Sequence, residues 1–303
     1  MDDAHHSLDF GRWAIGDRLG RGGTGTVHLA VDRVSAERYA VKFLRPGPDT
    51  GPDTGTAPGT PAADARVLRE LRTAEALVHP HVVRAHTSGY VHGRYFLLME
   101  LCALGSLDQL VRRDGPMDPE AAVAMTLAVL GGLQYAHSAP LAVPDGDGGR
   151  IAVRGVVHRD VKPQNLLLTG SAAAPVVKIA DFGLAKPYEL AGASGVTHTG
   201  SSNGTPAFMP RQQVVNFKYA KPDVDVWAAA ASLYFMLSGR TPRDFAAGHD
   251  PWLTVWNTAA VPLAARMPTV PPRLARIVDE ALIDDPRIHF PTAAAFRTAL
   301  EAW

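Results

Sequence analysis

Cysteine is nearly absent from this 303-residue chain: Cys102 is the only one, so no internal disulfide can form and a stapled secreted scaffold is excluded. Net charge is absent too. Thirty basic and thirty acidic side chains cancel, so no overall field draws the chain toward nucleic acid or an anionic membrane. Long apolar runs are also missing. The longest, Ala121 to Leu133 and Val226 to Leu237, fall short of the roughly 20 residues a membrane helix needs and read as buried core helices. The start, Met1-Asp2-Asp3-Ala4-His5-His6, has neither the basic flank nor the apolar core of a signal peptide, which with the lone cysteine points to a cytoplasmic protein with no membrane segment. No repeat of fixed period is visible, and the twelve histidines include no pair at ligand spacing with a cysteine or carboxylate cluster, which argues against zinc.

What is present is a core-forming share of hydrophobic residues, 46%, distributed unevenly. Arg12 to Val34 holds two runs of β-type alternation joined by a glycine-rich turn, and Glu37 to Leu44 follows as a third strand. Pro46 to Pro61 is almost wholly Gly, Pro, Thr and Asp and reads as a mobile inserted loop. Ala62 to Val78 has helical spacing that ends at His79-Pro80, and Val82 to Val91 with Arg94 to Glu100 reads as a strand pair across His92-Gly93. Helical patterns dominate from there: Leu107 to Arg113, Pro119 to His137, Val224 to Leu237, Arg273 to Leu282 and Thr292 to Trp303. Pro140 to Arg154 reads as a second, Gly/Asp-rich insertion. A strand-rich first part and a helix-rich remainder predict two lobes with a cleft between them.

Chemistry concentrates in His158-Arg159-Asp160-Val161-Lys162-Pro163-Gln164-Asn165 and the following Asp181-Phe182-Gly183. Asp160 is spaced to take a proton from an attacking hydroxyl, Asn165 and Asp181 offer hard oxygen ligands to Mg²⁺, and Lys162 can neutralise charge on a transferred phosphate. Gly20-Arg21-Gly22-Gly23-Thr24-Gly25-Thr26-Val27 fits GxGxxGxV between two predicted strands, where glycine lets backbone amides approach phosphate oxygens. The strand after the glycines argues against a dinucleotide-binding fold, and no Walker loop occurs.

These motifs together resemble the eukaryotic-type protein kinase family, bacterial branch. The resemblance implies an α+β, bilobal protein-kinase-like fold with a β-rich small lobe and a helical large lobe. Its domain would run from residue 10 to 303 after a tail of 1–9: small lobe 10–100, hinge 101–105, large lobe 106–303. It implies Asp160 as catalytic base, Lys162 on the transferred phosphate, and Asn165 and Asp181 as ligands of Mg²⁺, with Mn²⁺ as a substitute. It further implies an ion pair between Lys42 and Glu70, the latter preferred to Glu75 because it stands nine residues before His79-Pro80. ATP would be bound by Gly20, Gly22, Gly25, Val27, Ala40, Lys42, the gatekeeper Met99, and the backbone of Glu100 and Cys102. His158 and Phe182 would pack as internal support, and Asp225 would bond the catalytic-loop backbone.

Lys162 two places after Asp160, with Thr205 in Gly204-Thr205-Pro206, is the serine/threonine pattern, so a protein substrate is implied. The paired Thr197 and Thr199 resemble the TxT element of bacterial members, with Arg159 and Lys186 as a clamp for their phosphate. A homodimer is also implied, since similar bacterial kinases pair through their small lobes. Two departures stand out. Met209-Pro210-Arg211-Gln212 puts Gln212 where the family's Ala-Pro-Glu has its glutamate, and Asp285-Pro286-Arg287-Ile288-His289 puts His289 where the partner arginine belongs. With both ends of an ion pair neutralised together, a Gln212 to His289 contact is expected. The alternatives are a non-catalytic pseudokinase scaffold and a small-molecule kinase of related fold.

Overall fold

Alternation of apolar and polar residues organises the first hundred residues into strands, because side chains two apart share a face of the sheet. The computed structural model describes residues 9–23, 25–44, 61–144, 150–182, 186–187 and 206–303. Within these, the side chains of 9–10, 61–66, 69–70, 142–144, 150–151, 153, 186–187 and 218 lie outside the description. One compact unit comprises Met1–Val78, Val83–Cys102 and Ala142–Ile151; the other comprises His79–Val82, Ala103–Leu141 and Ala152–Trp303. The change of unit falls between Cys102 and Ala103, inside the Leu101 to Gly105 link.

In the first unit, β1 (Asp9–Phe10), β2 (Trp13–Gly22), β3 (Gly25–Asp32), β4 (Arg38–Leu44), β5 (Ala85–Val91) and β6 (Arg94–Glu100) form one antiparallel sheet in the order β1-β2-β3-β4-β6-β5. The register sets Val27 opposite Lys42 and Ala40 opposite Met99. By the two-residue period, Val27, Ala40, Lys42 and Met99 therefore share one face. The other face supplies the core of Val41, Phe43, Phe96 and Leu98, with Trp13, Ile15, Tyr39 and Val91 packed on it. Helix α1 (Pro61–Ala76) belongs to the same unit and lies against β5.

The second unit is built on α5 (Pro222–Ser238), which is buried without interruption from Val224 to Ser238. A helix apolar all round has to be a core helix, since it offers water no polar face. Pro222 opens its first turn and Gly239, at φ 67°, closes it in the left-handed conformation that a side chain would resist. Helix α2 (Leu107–Asp114) starts with a Ser106/Gln109 capping box, and α3 (Pro119–Ala136) starts at the Asp118 cap followed by Pro119. Helix α3 packs on α5 and on the last helix, α9 (Ala293–Glu301). Between them in sequence lie α4 (Arg211–Val215), α6 (Pro251–Asn257), α7 (Leu263–Arg266) and α8 (Pro272–Ala281). Among the described residues, no helix is long and apolar enough to cross a membrane.

Three β ribbons were not legible as strands in the sequence. Residues read as an insertion pair as β7 (Pro140–Pro144) with β8 (Arg150–Arg154). The stretch between Asn165 and Asp181 forms the hairpin β10 (Leu166–Ser171) and β11 (Ala174–Ile179), and β9 (Val156–Val157) pairs with β12 (Lys186–Pro187). His79 to Val82, expected with the small lobe, packs with the helical unit. Ile179 donates its amide to the His81 carbonyl at 2.9 Å, and Val82 bridges Ile179.

Candidate active site

The β10–β11 hairpin turns a sequence spacing into proximity. Its register pairs Leu166 with Ile179, so Asn165 and Ala180 face each other at the open end, and the Ala180 amide donates to the Asn165 carbonyl at 2.8 Å. Asp181 follows directly, half-buried, at φ 64°. Arg159 stands at φ 68°. Non-glycine residues in the left-handed region persist only where their surroundings overdetermine them, a pattern concentrated at functional sites.

What overdetermines the loop is Asp225, in the first turn of α5 and 1% exposed. Its Oδ2 accepts the His158 amide at 2.7 Å and His137 Nε2 at 2.8 Å, and its Oδ1 accepts the Arg159 amide at 2.7 Å. Burial acts to raise the Asp225 carboxyl, but the His137 hydrogen bond and charge, with His158 and the Arg159 amide, outweigh it and hold the group below the usual carboxylate range. The His158 ring bonds the Ala180 carbonyl through Nε2 at 2.9 Å and meets the Phe182 ring edge-on at 4.6 Å, the internal support expected of this pair.

On this frame Asp160, Lys162 and Asn165 converge. Lys162 Nζ lies 2.9 Å from the Asp160 carboxylate, and Asn165 Nδ2 donates to Asp160 Oδ2 at 3.0 Å and to its carbonyl at 2.7 Å. The carboxylate is thus aimed by two donors. With Nδ2 engaged on Asp160, the side-chain oxygen Oδ1 of Asn165 is the atom left for a hard cation. Gln164 Nε2 ties the loop to Asp108 on α2 at 2.6 Å.

Arg159 is 1% exposed, and none of its three guanidinium nitrogens has a hydrogen-bond partner among the described residues. Burial pulls its pKa down, opposed by the charge of Asp225. Such a cation is unfavourable unless an anion joins it. Thr197 and Thr199, Thr205 and Gly183 lie outside the described residues, as does the Lys186 side chain, whose backbone pairs with Val157.

In the first unit, Lys42 is 7% exposed in the sheet, between Val27 on β3 and Leu97 on β6. The Glu70 side chain lies outside the description. Gly25 has an internal reason to be glycine: a Cβ there would stand 2.0 Å from the Phe43 carbonyl oxygen. Gly20 and Gly22 have none among the described residues, where a Cβ on either would meet nothing within 4 Å. At the end of β6, Glu100 exchanges backbone and side-chain hydrogen bonds with Arg84, its amide to the Arg84 carbonyl at 2.9 Å and its Oε1 accepting the Arg84 amide at 2.5 Å.

The expected Gln212 to His289 contact does not form. Gln212 Nε2 donates to the backbone carbonyl of Asp284, while His289 is exposed with its ring edge-on to Phe290. The reason is the neighbouring Asp284, a buried anion that no sequence motif singled out. It takes Arg211 and the fully buried Arg243 as ion partners. His137, Arg243 and Asp284 are the residues of consequence that sequence reasoning missed.

A β-rich unit carrying a buried sheet lysine and a helical unit carrying an aspartate, a lysine and an asparagine on an anchored loop define a bilobal phosphotransferase fold of the α+β class. A family model described as protein kinase domain matches residues 13–261. Serine/threonine-protein kinase PknD of Mycobacterium tuberculosis is 30% identical over 290 residues, covering 94% of this chain and 38% of its own length. CBL-interacting protein kinase 4 of Oryza sativa subsp. japonica is 33% identical over 238 residues, covering 77% of this chain and 46% of its own. The chain belongs to the protein kinase family, the eukaryotic-type serine/threonine group with bacterial members among its relatives. It spans less than half the length of these curated relatives.

Proposed function

We propose that this chain transfers the γ-phosphoryl group of ATP to serine or threonine hydroxyls of proteins, with residues 10–303 as the kinase domain and 101–105 as its hinge. The observation that carries this reading is the Asp160 carboxylate, held by Lys162 and Asn165 on a loop pinned to Asp225. Asp160 accepts the hydroxyl proton as the new O–P bond forms and the bond from the γ-phosphorus to the bridging oxygen of ADP breaks. Lys162, 2.9 Å from that carboxylate, offsets charge on the moving phosphoryl group. Asn165, through its free amide oxygen, and Asp181 would hold Mg²⁺, with Mn²⁺ as substitute; the metal supplies neutralisation of phosphate charge. Gly20 and Gly22, open where a side chain would stand, support a backbone cradle for phosphate, with Lys42 reaching the same anion. Val27, Ala40 and Met99 on the face of Lys42, with the backbone of Glu100 and Cys102, would take the adenosine. Glu70 would orient Lys42.

The buried Arg159 guanidinium, without a hydrogen-bond partner among the described residues, supports activation by autophosphorylation at Thr197 or Thr199, with Lys186 assisting the clamp. The test of catalysis is transfer of radiolabelled phosphate, with Mg²⁺, to a generic basic protein. Asp160→Asn is expected to lower kcat by about 10²–10⁴-fold while nucleotide affinity is kept. Equal labelling by parent and variant would overturn the assignment and favour a scaffold.

A further inference from the structure

The end of the activation segment is fastened in a way the family pattern does not lead one to expect. Asp284 is 4% exposed and gathers three donors: Arg243 Nη2 at 2.5 Å and the Arg211 amide at 2.9 Å on Oδ2, and Arg211 Nη1 at 3.1 Å on Oδ1. Arg243 is 0% exposed, and its remaining nitrogens donate to backbone carbonyls, Nη1 to Met209 at 3.1 Å and Nε to Thr258 at 2.9 Å. Its guanidinium lies 4.8 Å from the centre of the Trp227 ring, and Trp227 Nε1 is itself tied to the Leu282 carbonyl at 3.0 Å. Each of the three guanidinium nitrogens of Arg243 therefore has a partner, which offsets the burial of its charge.

The backbone of 209–213 is thereby held from two sides. Met209 offers its carbonyl to Arg243, Arg211 its amide to Asp284, and Gln212 its side chain to the Asp284 carbonyl. Next in the chain, Gln213 is 1% exposed and donates through Nε2 to the Arg159 carbonyl at 2.7 Å, one residue from Asp160. The family pattern has an anion on the segment and a cation late in the helical lobe; here the segment carries the cation, Arg211, and the lobe carries the anion, Asp284.

We propose that Asp284, fixed by Arg243 and paired with Arg211 of the segment, forms a charge-reversed positioning clamp that sets the placement of residues 209–213, and so the engagement of protein substrate, without acting on the nucleotide. The inference rests on the kinase reading given above. None of the clamp's hydrogen bonds involves Asp160, Lys162, Asn165 or Asp181. Loosening it displaces the segment a protein substrate must pass while the proton acceptor keeps its own two donors. Remote displacement of about an ångström is enough to lower reactivity about 10²-fold.

Two rates and a folding control separate positioning from simple stability: phosphorylation of a basic protein at varied concentration, hydrolysis of ATP by water without protein substrate, and thermal melting. Arg243→Met and Asp284→Asn are expected to raise KM for the protein and lower kcat/KM about 10- to 100-fold, with ATP hydrolysis within about twofold of the parent. Arg211→Met, at a less buried position, is expected to do the same more weakly. The double variant Arg243→Met/Asp284→Leu removes both fully buried charges and leaves Arg211 with Asp285 and the Trp256 carbonyl, so it is expected to regain much of the melting temperature but not kcat/KM, because the bonds to the Met209 carbonyl and the Arg211 amide stay lost. This variant keeps the test decisive where a single change unfolds the chain. Recovery of kcat/KM along with melting, or equal loss of both rates, overturns the clamp. A parent that labels no protein overturns the kinase reading and the clamp with it; a labelling parent matched by its variants overturns the clamp alone.

Discussion

Replacing Asp225 by asparagine removes one oxygen and one charge from the point where α5 holds the catalytic loop. The carboxylate accepts three donors at 2.7 to 2.8 Å, and an amide offers one acceptor oxygen and one NH₂. In the better of its two orientations the amide oxygen keeps His158 and His137, and the NH₂ then faces the Arg159 amide, leaving a buried N–H unsatisfied. That loss is worth about 1–3 kcal/mol, and the two retained bonds weaken once their acceptor is neutral, so about 2–4 kcal/mol in total is expected. At about 2–4 °C per kcal/mol for a domain of this class, calorimetry should show melting lowered by roughly 4–16 °C. Because the loop carrying Asp160 loses one of its tethers, kcat should also fall, by about tenfold or more.

The pH dependence has a definite sign. Asp225 is held below the ordinary carboxylate range in the folded chain, so as pH falls the unfolded chain binds the proton first. The carboxylate's contribution is complete above about pH 4 and disappears as pH falls through the depressed native value, so the gap between parent and Asp225→Asn should close on acidification. A variant that melts within a degree of the parent at neutral pH, with kcat unchanged, would refute the three-donor account.

Two other outcomes follow from burial and steric room. Gly20→Ala and Gly22→Ala should leave melting within about 0.5 kcal/mol of the parent while weakening nucleotide binding, measured by titration calorimetry. Gly25→Ala should instead destabilise the sheet, because its Cβ would collide with the Phe43 carbonyl. Arg159→Met should raise the melting temperature of dephosphorylated protein, by removing a buried cation without a hydrogen-bond partner among the described residues, and should abolish any gain in activity on incubation with ATP. Mass spectrometry that finds no phosphate between Ser194 and Thr205 after that incubation would remove the clamp assignment for Arg159.

Residues near one another along the chain were legible because local physics marks them. Alternation gave β2, β3, β4 and β6, helical spacing gave α2 and α3, and unbroken apolarity marked α5 as a core helix. The donors around Asp160 were legible for the same reason, since Lys162 and Asn165 follow it within one turn of the loop. The β10–β11 hairpin was hidden because the residues between its strands are Ala172-Ala173, while the turn dipeptide of the stretch, Gly170-Ser171, lies inside β10.

The order of elements and the chemistry of the catalytic loop were written in the amino-acid sequence, because propensity, capping and phosphoryl transfer all impose residue types at short, fixed spacings. The partners of Asp225 and Asp284 were decided by tertiary structure alone. His137 stands 88 positions from Asp225, and Arg243 stands 41 from Asp284. A buried charge takes whichever opposite group the packed helices bring within 3 Å, and no local pattern records that choice. Gln212 shows the consequence: its neutral side chain was free to follow the backbone of the anion that two arginines had already fixed.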